Sequence, residues 1–246
     1  MVTPPEKKAD VGLKTRHVFL DTEVYRRYGH NLNDKVLQTL LKQIKDHVCT
    51  LHITDITLSE VRRQIRDMAA EVALAVNKGN KELRRWQAVR SWKTTPAKVI
   101  DDVEAVALTK DALLHFDVAL SSNWSPVKHE ALGIAPKDIF ESYFRRDPPF
   151  DKKDSKEFPD AFVVTALDRW CQREHQKMYV ITKDKAMLRA VEQTKTLIAV
   201  PTLEDYLAII VEAQHPKILK KVQGIFDSPS WDDIDEIGRA SCRERV

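Results

Sequence analysis

Four carboxylates stand at positions where an element of secondary structure is expected to begin or end. Asp21 follows the apolar run of HVFLDTEVY, Glu60 lies in LSEV, Asp160 opens DAFVVTAL and Asp184 closes VITKD. A carboxylate at the end of a buried strand loses its hydration, so it needs a partner that offsets this cost. Acids in such positions can bind metal ions or exchange protons, provided that the fold brings them together.

Each acid also has an ordinary structural explanation. Glu60 could close a capping box with Thr57, and Asp160 follows a proline at the start of a helix, where an acid stabilises the helix dipole. Asp184 could cap the next helix, and Asp21 could accept backbone N–H groups in a turn. These explanations suffice for any one acid, whereas the four together favour a functional site.

The four acids are expected at one edge of a sheet, where they would repel one another. Asp160 shares a helical face with Val163, Val164 and Leu167, which directs it towards the sheet. Without a counter-charge, some of these carboxyl groups would have to stay protonated. One or two divalent cations remove the repulsion, and oxygen ligands without His or Cys suit Mg²⁺ or Mn²⁺. Such a centre activates water for phosphodiester hydrolysis.

The elements that position these acids alternate between strand and helix. Short apolar runs predict strands at residues 18–20, 49–54, 178–182 and 196–200, and a helical pattern follows each run. After the second run, five apolar residues recur at helical spacing: Val61, Ile65, Met68, Val72 and Ala75. The alternation predicts an α/β protein with three α/β/α layers and a central parallel sheet of about four to five strands. Ligands bind such sheets beyond the carboxyl ends of the strands, where the four acids fall.

The middle of the chain lacks this alternation. We expect an inserted helical arm at about residues 81–122 and a loop or lid segment at about 123–158, which contains RRDPPFDKKDSKEF and is followed by Pro159. The predicted organisation is an N-terminal tail at 1–15 and one interrupted domain at 16–227. A second tail follows at 228–235, and a non-native stretch at 236–246. The last of these, EIGRASCRERV, matches the translation of a widely used sequencing adapter, so we expect read-through rather than native sequence.

The bulk composition is that of a soluble, helix-rich protein. Of 246 residues, 43% are hydrophobic and 31% are charged, and only 6 are glycine, a balance that favours helices over a sandwich or barrel. No apolar run reaches the roughly 18–20 residues of a membrane helix, and MVTPPEKKADVG lacks the apolar core of a signal peptide. Apart from the adapter stretch, the cysteines are Cys49 and Cys171, without metal-ligand spacing. We therefore expect a cytoplasmic protein with no membrane partner.

Basic residues are concentrated near the acids. The net charge is +3, and it becomes +2 without the three Arg and two Glu of the adapter stretch, which is too small to indicate nucleic acid by itself. Between Arg62 and Lys93, however, nine basic residues face three acidic ones. A solvated helical face explains this run, and contact with backbone phosphates is the alternative. The residues to which we assign phosphate contacts are Arg62, Arg63, Arg66, Lys152, Lys153, Lys183 and Lys185.

Four stretches resemble, in the same order, the four sequence blocks of PIN-domain nucleases. They are FLDTEVY, LSEV, EFPDAFVVTAL and VITKD. The resemblance spans about residues 16–210 outside the helical arm, and PPFDKKDSKEFPDAF resembles a PIN branch catalogued only as a domain of unknown function. It implies that the acids of these blocks hold the metal and that two threonines support them: Asp21, Glu60, Asp160 and Asp184, with Thr22 and Thr182.

Two further acids depart from the family pattern or extend it. Many family members have Asn or Ser where this chain has Glu23, so Glu23 is either a fifth ligand or a solvent-facing residue. Glu157, three residues before Asp160, has the same two interpretations.

The resemblance implies a nuclease that uses Mg²⁺ or Mn²⁺ and acts on single-stranded RNA. The expected partners are nucleic acid, an inhibitory protein and a second copy of the chain, as in a toxin, a phage-defence effector or an RNA-processing enzyme. The alternative is a catalytically silent PIN-like module that binds RNA or protein, because a fold does not determine function. A phosphatase with a nucleophilic Asp21 is disfavoured, since Glu23 stands where that class has a second aspartate.

Overall fold

The computed structural model describes residues 13–87, 101–151 and 157–226. The chain divides into two compact units, of which Thr15–Leu203 contains the sheet and the acids discussed above. The other unit contains nearly all of the last helix, Leu203–Phe226. Lys152, Lys153 and the adapter stretch lie outside the described residues. Within those residues, no helix is both long enough and apolar enough to cross a membrane.

Five parallel strands form one sheet in the order β3-β2-β1-β4-β5. Their bounds are β1 His17–Leu20, β2 Thr50–Thr54, β3 Val127–His129, β4 Met178–Ile181 and β5 Leu197–Val200. The register aligns the ends of β1 and β4, since Leu20 lies opposite Ile181. The sheet confirms the predicted α/β/α fold. From β1 the chain crosses to β2 on one side, and from β4 to β5 on the other, so a topological switch point lies between β1 and β4.

Helices connect the strands. They are α1 Thr22–Arg27, α2 Lys35–Lys45, α3 Asp55–Gln87, α4 Ala105–Ala119, α5 Pro136–Arg145, α6 Phe158–Arg173, α7 Lys185–Glu192 and α8 Leu203–Phe226. A π-helical turn, Leu120–Trp124, extends α4, and a short 3-10 turn spans Ala131–Gly133.

The core forms where apolar faces of α6 and α7 cover the central strands. Val163, Val164 and Leu167 of α6 are buried in one cluster with Val180 of β4 and Met187 of α7. This arrangement turns one side of α6 towards the sheet, as its spacing predicts. Burial of these side chains contributes roughly 1.5–3 kcal/mol each to the free energy of folding.

The apolar stripe predicted for α3 is wrong in its second half. Val61 and Ile65 are buried, but Met68 is 38% exposed, and the buried face continues instead through Ala69 and Ala73. Small residues allow a neighbouring helix to approach closely, and α4 lies against α3, joined by an ion pair between Arg62 and Asp117 at 2.9 Å.

The middle of the chain differs from its prediction in two ways. In the described residues, the arm predicted at 81–122 comprises the end of α3, a non-helical stretch at 101–104, α4 and part of the π-helical turn. The segment at 123–158, predicted as loop or lid, contains β3 and α5. The limits of the predicted domain and of its tails stay predictions.

Three histidines on adjacent strands form a hydrogen-bonded chain. The Nδ1 of His17 lies 2.9 Å from the Nε2 of His52, and the Nδ1 of His52 lies 2.7 Å from the Nε2 of His129. Trp170 of α6 lies against all three rings, at centroid distances of 4.6–5.5 Å. Burial lowers the pKa of His52 to about 3, so this ring is neutral. This hydrogen-bonded chain of histidines thus spans three adjacent strands of the sheet.

Candidate active site

Asp21 lies at the switch point, directly after β1. Its backbone N–H donates to the carbonyl of Ile181 at 3.0 Å, which fixes it beside the end of β4. The carboxylate is 8% exposed and accepts two hydrogen bonds, from the backbone N–H of Thr22 and from the hydroxyl of Thr182, both at 2.6 Å. Burial raises the pKa of Asp21 to about 6; the two hydrogen bonds oppose this shift, whereas Asp184 and Glu23 add to it.

Thr182 joins two of the candidate acids. Its side chain is fully buried, and its hydroxyl donates to Asp21 while accepting from the backbone N–H of Asp184 at 3.0 Å. Asp184 is exposed and caps the N-terminus of α7, where its Oδ1 accepts from the N–H groups of Ala186 and Met187 at 2.7 and 2.9 Å. The capping explanation of Asp184 therefore describes its geometry, yet the residue also lies close enough to raise the pKa of Asp21.

Glu60 is connected to Asp21 through one residue. The hydroxyl of Thr22 donates to the Oε2 of Glu60 at 2.9 Å. The capping-box explanation of Glu60 is wrong, because α3 begins at Asp55 and Glu60 lies in its second turn. The backbone N–H of Thr57 is instead capped by the hydroxyl of Thr54 at 3.0 Å.

Asp160 faces the same edge from α6. It is the third residue of the helix and is half-buried. Burial is the main cause that raises its pKa to about 8, followed by the charges of Asp21, Glu157 and Asp184 and a hydrogen bond with Glu157. At neutral pH and without a cation, Asp160 therefore holds a proton. Glu157 is thus one of the acids around Asp160.

The donor atoms suit a hard divalent cation, because they are carboxylate and hydroxyl oxygens. Across the described part of the chain, however, no three acids, histidines or cysteines already form a group that could hold one ion. Sharing an ion therefore requires side-chain rotation; of the acids, Asp184 is exposed, and Asp160 and Glu60 are half-buried.

Glu23 lies near the acids but also borders a separate crevice. It is half-buried in the first turn of α1 and lines a small crevice with Arg27, Lys183 and Thr202. Its charge contributes to the raised pKa of Asp21. The position of Glu23 is compatible with both roles, as a fifth metal ligand and as a solvent-facing residue.

The candidate phosphate-binding residues differ in their surroundings. Arg63, Arg66, Lys183 and Lys185 are exposed. Arg62 instead donates to Asp117 through Nε and Nη2, at 3.1 and 2.9 Å, so it connects α3 with α4.

Arg189 is a cation near the acids that the sequence analysis does not identify. Arg189 of α7 pairs with Asp151, with its Nη2 at 2.9 Å from Oδ1. Asp151, Asp184 and Glu157 all raise the pKa of the Arg189 guanidinium, which places it near the acids. The two partners are separated by 38 positions in the sequence, and no local pattern connects them.

Fold and site together define an α/β/α protein with several carboxylates near the switch point of a parallel sheet. A family model described as PIN domain matches residues 18–187, which is 170 of the 246 residues and includes all four acids. The chain belongs to the PIN-domain family, whose members are generally nucleases. No curated protein and no solved structure matches the chain significantly.

Proposed function

We propose that this protein is a metal-dependent nuclease that hydrolyses phosphodiester bonds in single-stranded RNA. The observation that carries the proposal is the electrostatic strain at the switch point. Burial, and after it the charges of residues that include Asp21 and Asp184, raise the pKa of Asp160 to about 8, and the charge of Asp184 also raises the pKa of Asp21. Carboxyl groups that hold protons because of burial and nearby like charge can exchange them for a divalent cation, which supplies the missing counter-charge.

Asp21, Glu60, Asp160 and Asp184 would hold one or two Mg²⁺ or Mn²⁺ ions. A bound ion of this kind lowers the pKa of water and neutralises the charge that develops on phosphate. Thr182 orients Asp21 through its buried hydroxyl, and Thr22 does the same for Glu60. Hydrogen bonds of this kind orient carboxylates that bind metal ions.

The exposed cations support a nucleic-acid substrate. Arg63 and Arg66 follow Glu60 on α3, and Lys183 and Lys185 flank Asp184. Such cations hold backbone phosphates beside an acidic centre and make affinity depend on salt. The preference for RNA over DNA rests on the family resemblance.

Thermal unfolding tests the metal site directly. We expect Mn²⁺ to raise the melting temperature of the wild type above its value in EDTA, because a ligand that binds only the folded state stabilises it. The double variant Asp21→Asn/Asp184→Asn should melt at the same temperature with and without Mn²⁺. Asp67→Asn, an exposed acid on α3, is the matched control and should respond like the wild type.

A cleavage assay tests the chemistry. With Mn²⁺ present, Asp160→Asn should lose cleavage of single-stranded RNA while retaining its fold, and Asp67→Asn should keep both. Cleavage that survives in Asp160→Asn would refute the assignment. RNA binding without metal-dependent stabilisation or cleavage would instead identify the silent binding module.

A further inference from the structure

A cleft of about 410 Å³ lies outside the acidic site, between the loop after α1 and the α3–α4 pair. This volume falls within the range of about 300–1,000 Å³ that is usual for small-molecule sites. Polar residues on its walls include His30, Asn31, Asn33, His115 and Asn123. Apolar ones include Leu32, Ile65, Met68, Phe116 and Val118.

The walls of this cleft carry no Asp, Glu, Lys or Arg among the described residues. The polar groups are amides and imidazoles, each of which can donate and accept hydrogen bonds. The remaining walls are apolar, with an aromatic ring and a thioether. This combination fits an uncharged, flat molecule with a hydrogen-bonding edge, which is the chemistry of a nucleobase.

His30 gives independent support for a ligand. Its side chain is 9% exposed, and its Nδ1 is buried with no hydrogen-bond partner in the described part of the structure. A buried polar atom without a partner costs free energy, so such atoms are rare in folded proteins. His30 lines the cleft, so a rotation of its ring that turns Nδ1 towards the cleft would let a ligand supply the missing partner.

Two helices, α1 and α3, connect this cleft with the acids. α1 begins at Thr22 and leads into the loop that carries His30. On α3, Met68 at the cleft is eight residues beyond Glu60, a rise of about 12 Å along the helix axis. Exposed Arg63 and Arg66 lie between them in the sequence. A short single strand can span this distance.

We propose that the cleft binds an unpaired nucleobase of the substrate strand, a few nucleotides from the bond that is cleaved. The inference rests on the proposed function for the identity of the strand, but not for the chemistry of the cleft. The base would occupy the space beside Met68 and Phe116, and its edge would pair with His30 and the asparagine amides.

Imidazole NMR tests the cleft without any need for catalysis. Protein labelled with ¹⁵N at histidine is titrated with adenosine, guanosine, cytidine and uridine, and the nitrogen shifts of His30 are followed. The resonances are assigned with His30→Asn, because asparagine tolerates the left-handed backbone found there (φ 56°). His175→Asn is the matched control, since His175 is exposed and has φ 53°. We expect at least one nucleoside to shift His30 and none to shift His175.

Oligonucleotide binding identifies the source of the base. In an Asp160→Asn background, single-stranded RNA should shift His30, and Ala112→Phe, which fills the cleft, should weaken RNA binding about tenfold, as expected for one lost base contact. Ala107→Phe, at an exposed position of α4 outside the cleft, should bind RNA normally.

Each other outcome is decisive. If neither nucleosides nor RNA shift His30, the cleft does not bind bases, even when metal-dependent cleavage is intact. If nucleosides shift His30 but RNA does not, the assignment to the substrate strand is overturned, and a free nucleoside is the occupant. Loss of cleavage with normal nucleoside binding would refute the proposed function and leave the cleft assignment standing.

Discussion

The raised pKa of Asp160 predicts how the metal-free protein responds to pH. In the unfolded chain this carboxyl group ionises near its ordinary pKa of 3.8, whereas the folded protein keeps it protonated up to about pH 8. The unfolded state therefore releases the proton first, and the free energy of unfolding falls as pH rises between these values. Above about pH 8 both states are ionised and the loss is complete.

Between pH 6.5 and 8, most of the expected change in stability comes from Asp160. Asp21, with a pKa of about 6, has largely ionised below this window. One proton bound only in the folded state changes stability by about 1.4 kcal/mol per pH unit, so the upper limit is about 2 kcal/mol over 1.5 units. Partial exposure of Asp160 to solvent reduces this limit to roughly 1–2 kcal/mol.

Urea unfolding in EDTA at pH 6.5, 7.0, 7.5 and 8.0 measures the effect. The wild type should lose stability steadily over this range, and Asp160→Asn should lose less by roughly 1–2 kcal/mol, because its amide does not ionise. Asp67→Asn should follow the wild type. Excess Mn²⁺ should flatten the wild-type profile. Parallel profiles for wild type and Asp160→Asn in EDTA would refute the claim that Asp160 is protonated at neutral pH.

Three further predictions concern other residues. Thr182→Val should lower the free energy of unfolding in urea by about 1–3 kcal/mol, because the carboxylate of Asp21 loses a buried hydrogen-bond donor. The exposed control Thr39→Val should lower it by less. Equal losses in the two variants would contradict the role of Thr182. Arg66→Gln should reduce the slope of log K against log salt for single-stranded RNA by roughly 0.7, and an unchanged slope would exclude a phosphate contact. Because the pKa of His52 is about 3, the unfolded state gains a proton that folded His52 does not accept, and the free energy of unfolding falls as pH drops from 6.5 towards 3. His52→Gln should therefore lose less stability over this range, by at most about 1.4 kcal/mol per pH unit. An unaltered acid profile in His52→Gln would contradict the neutral state of the ring.

Features with a local pattern could be predicted from the sequence. The buried runs of β1 and β4 and the apolar face of α6 each lie within a short stretch of sequence. Each of the four acids likewise stands within a short motif. The parallel sheet then follows from their alternation, and the edge at which Asp21 and Asp184 meet follows from the sheet.

Features that depend on distant residues could not be predicted in this way. β3 has three residues and no apolar run, so nothing in VKH distinguishes a strand from a loop. The partner of Arg189 is 38 residues away, and the cleft at His30 combines residues from the loop after α1, from α3, from α4 and from the π-helical turn. Only tertiary packing brings such residues together.

The histidine chain has a direction. Neutral His52 carries a single N–H, so one of its nitrogens donates and the other accepts. If it donates to His129, it must accept from His17; if it donates to His17, it must accept from His129. The two hydrogen bonds therefore run in one common sense along the three rings, either from His17 on β1 towards His129 on the edge strand β3 or from His129 towards His17.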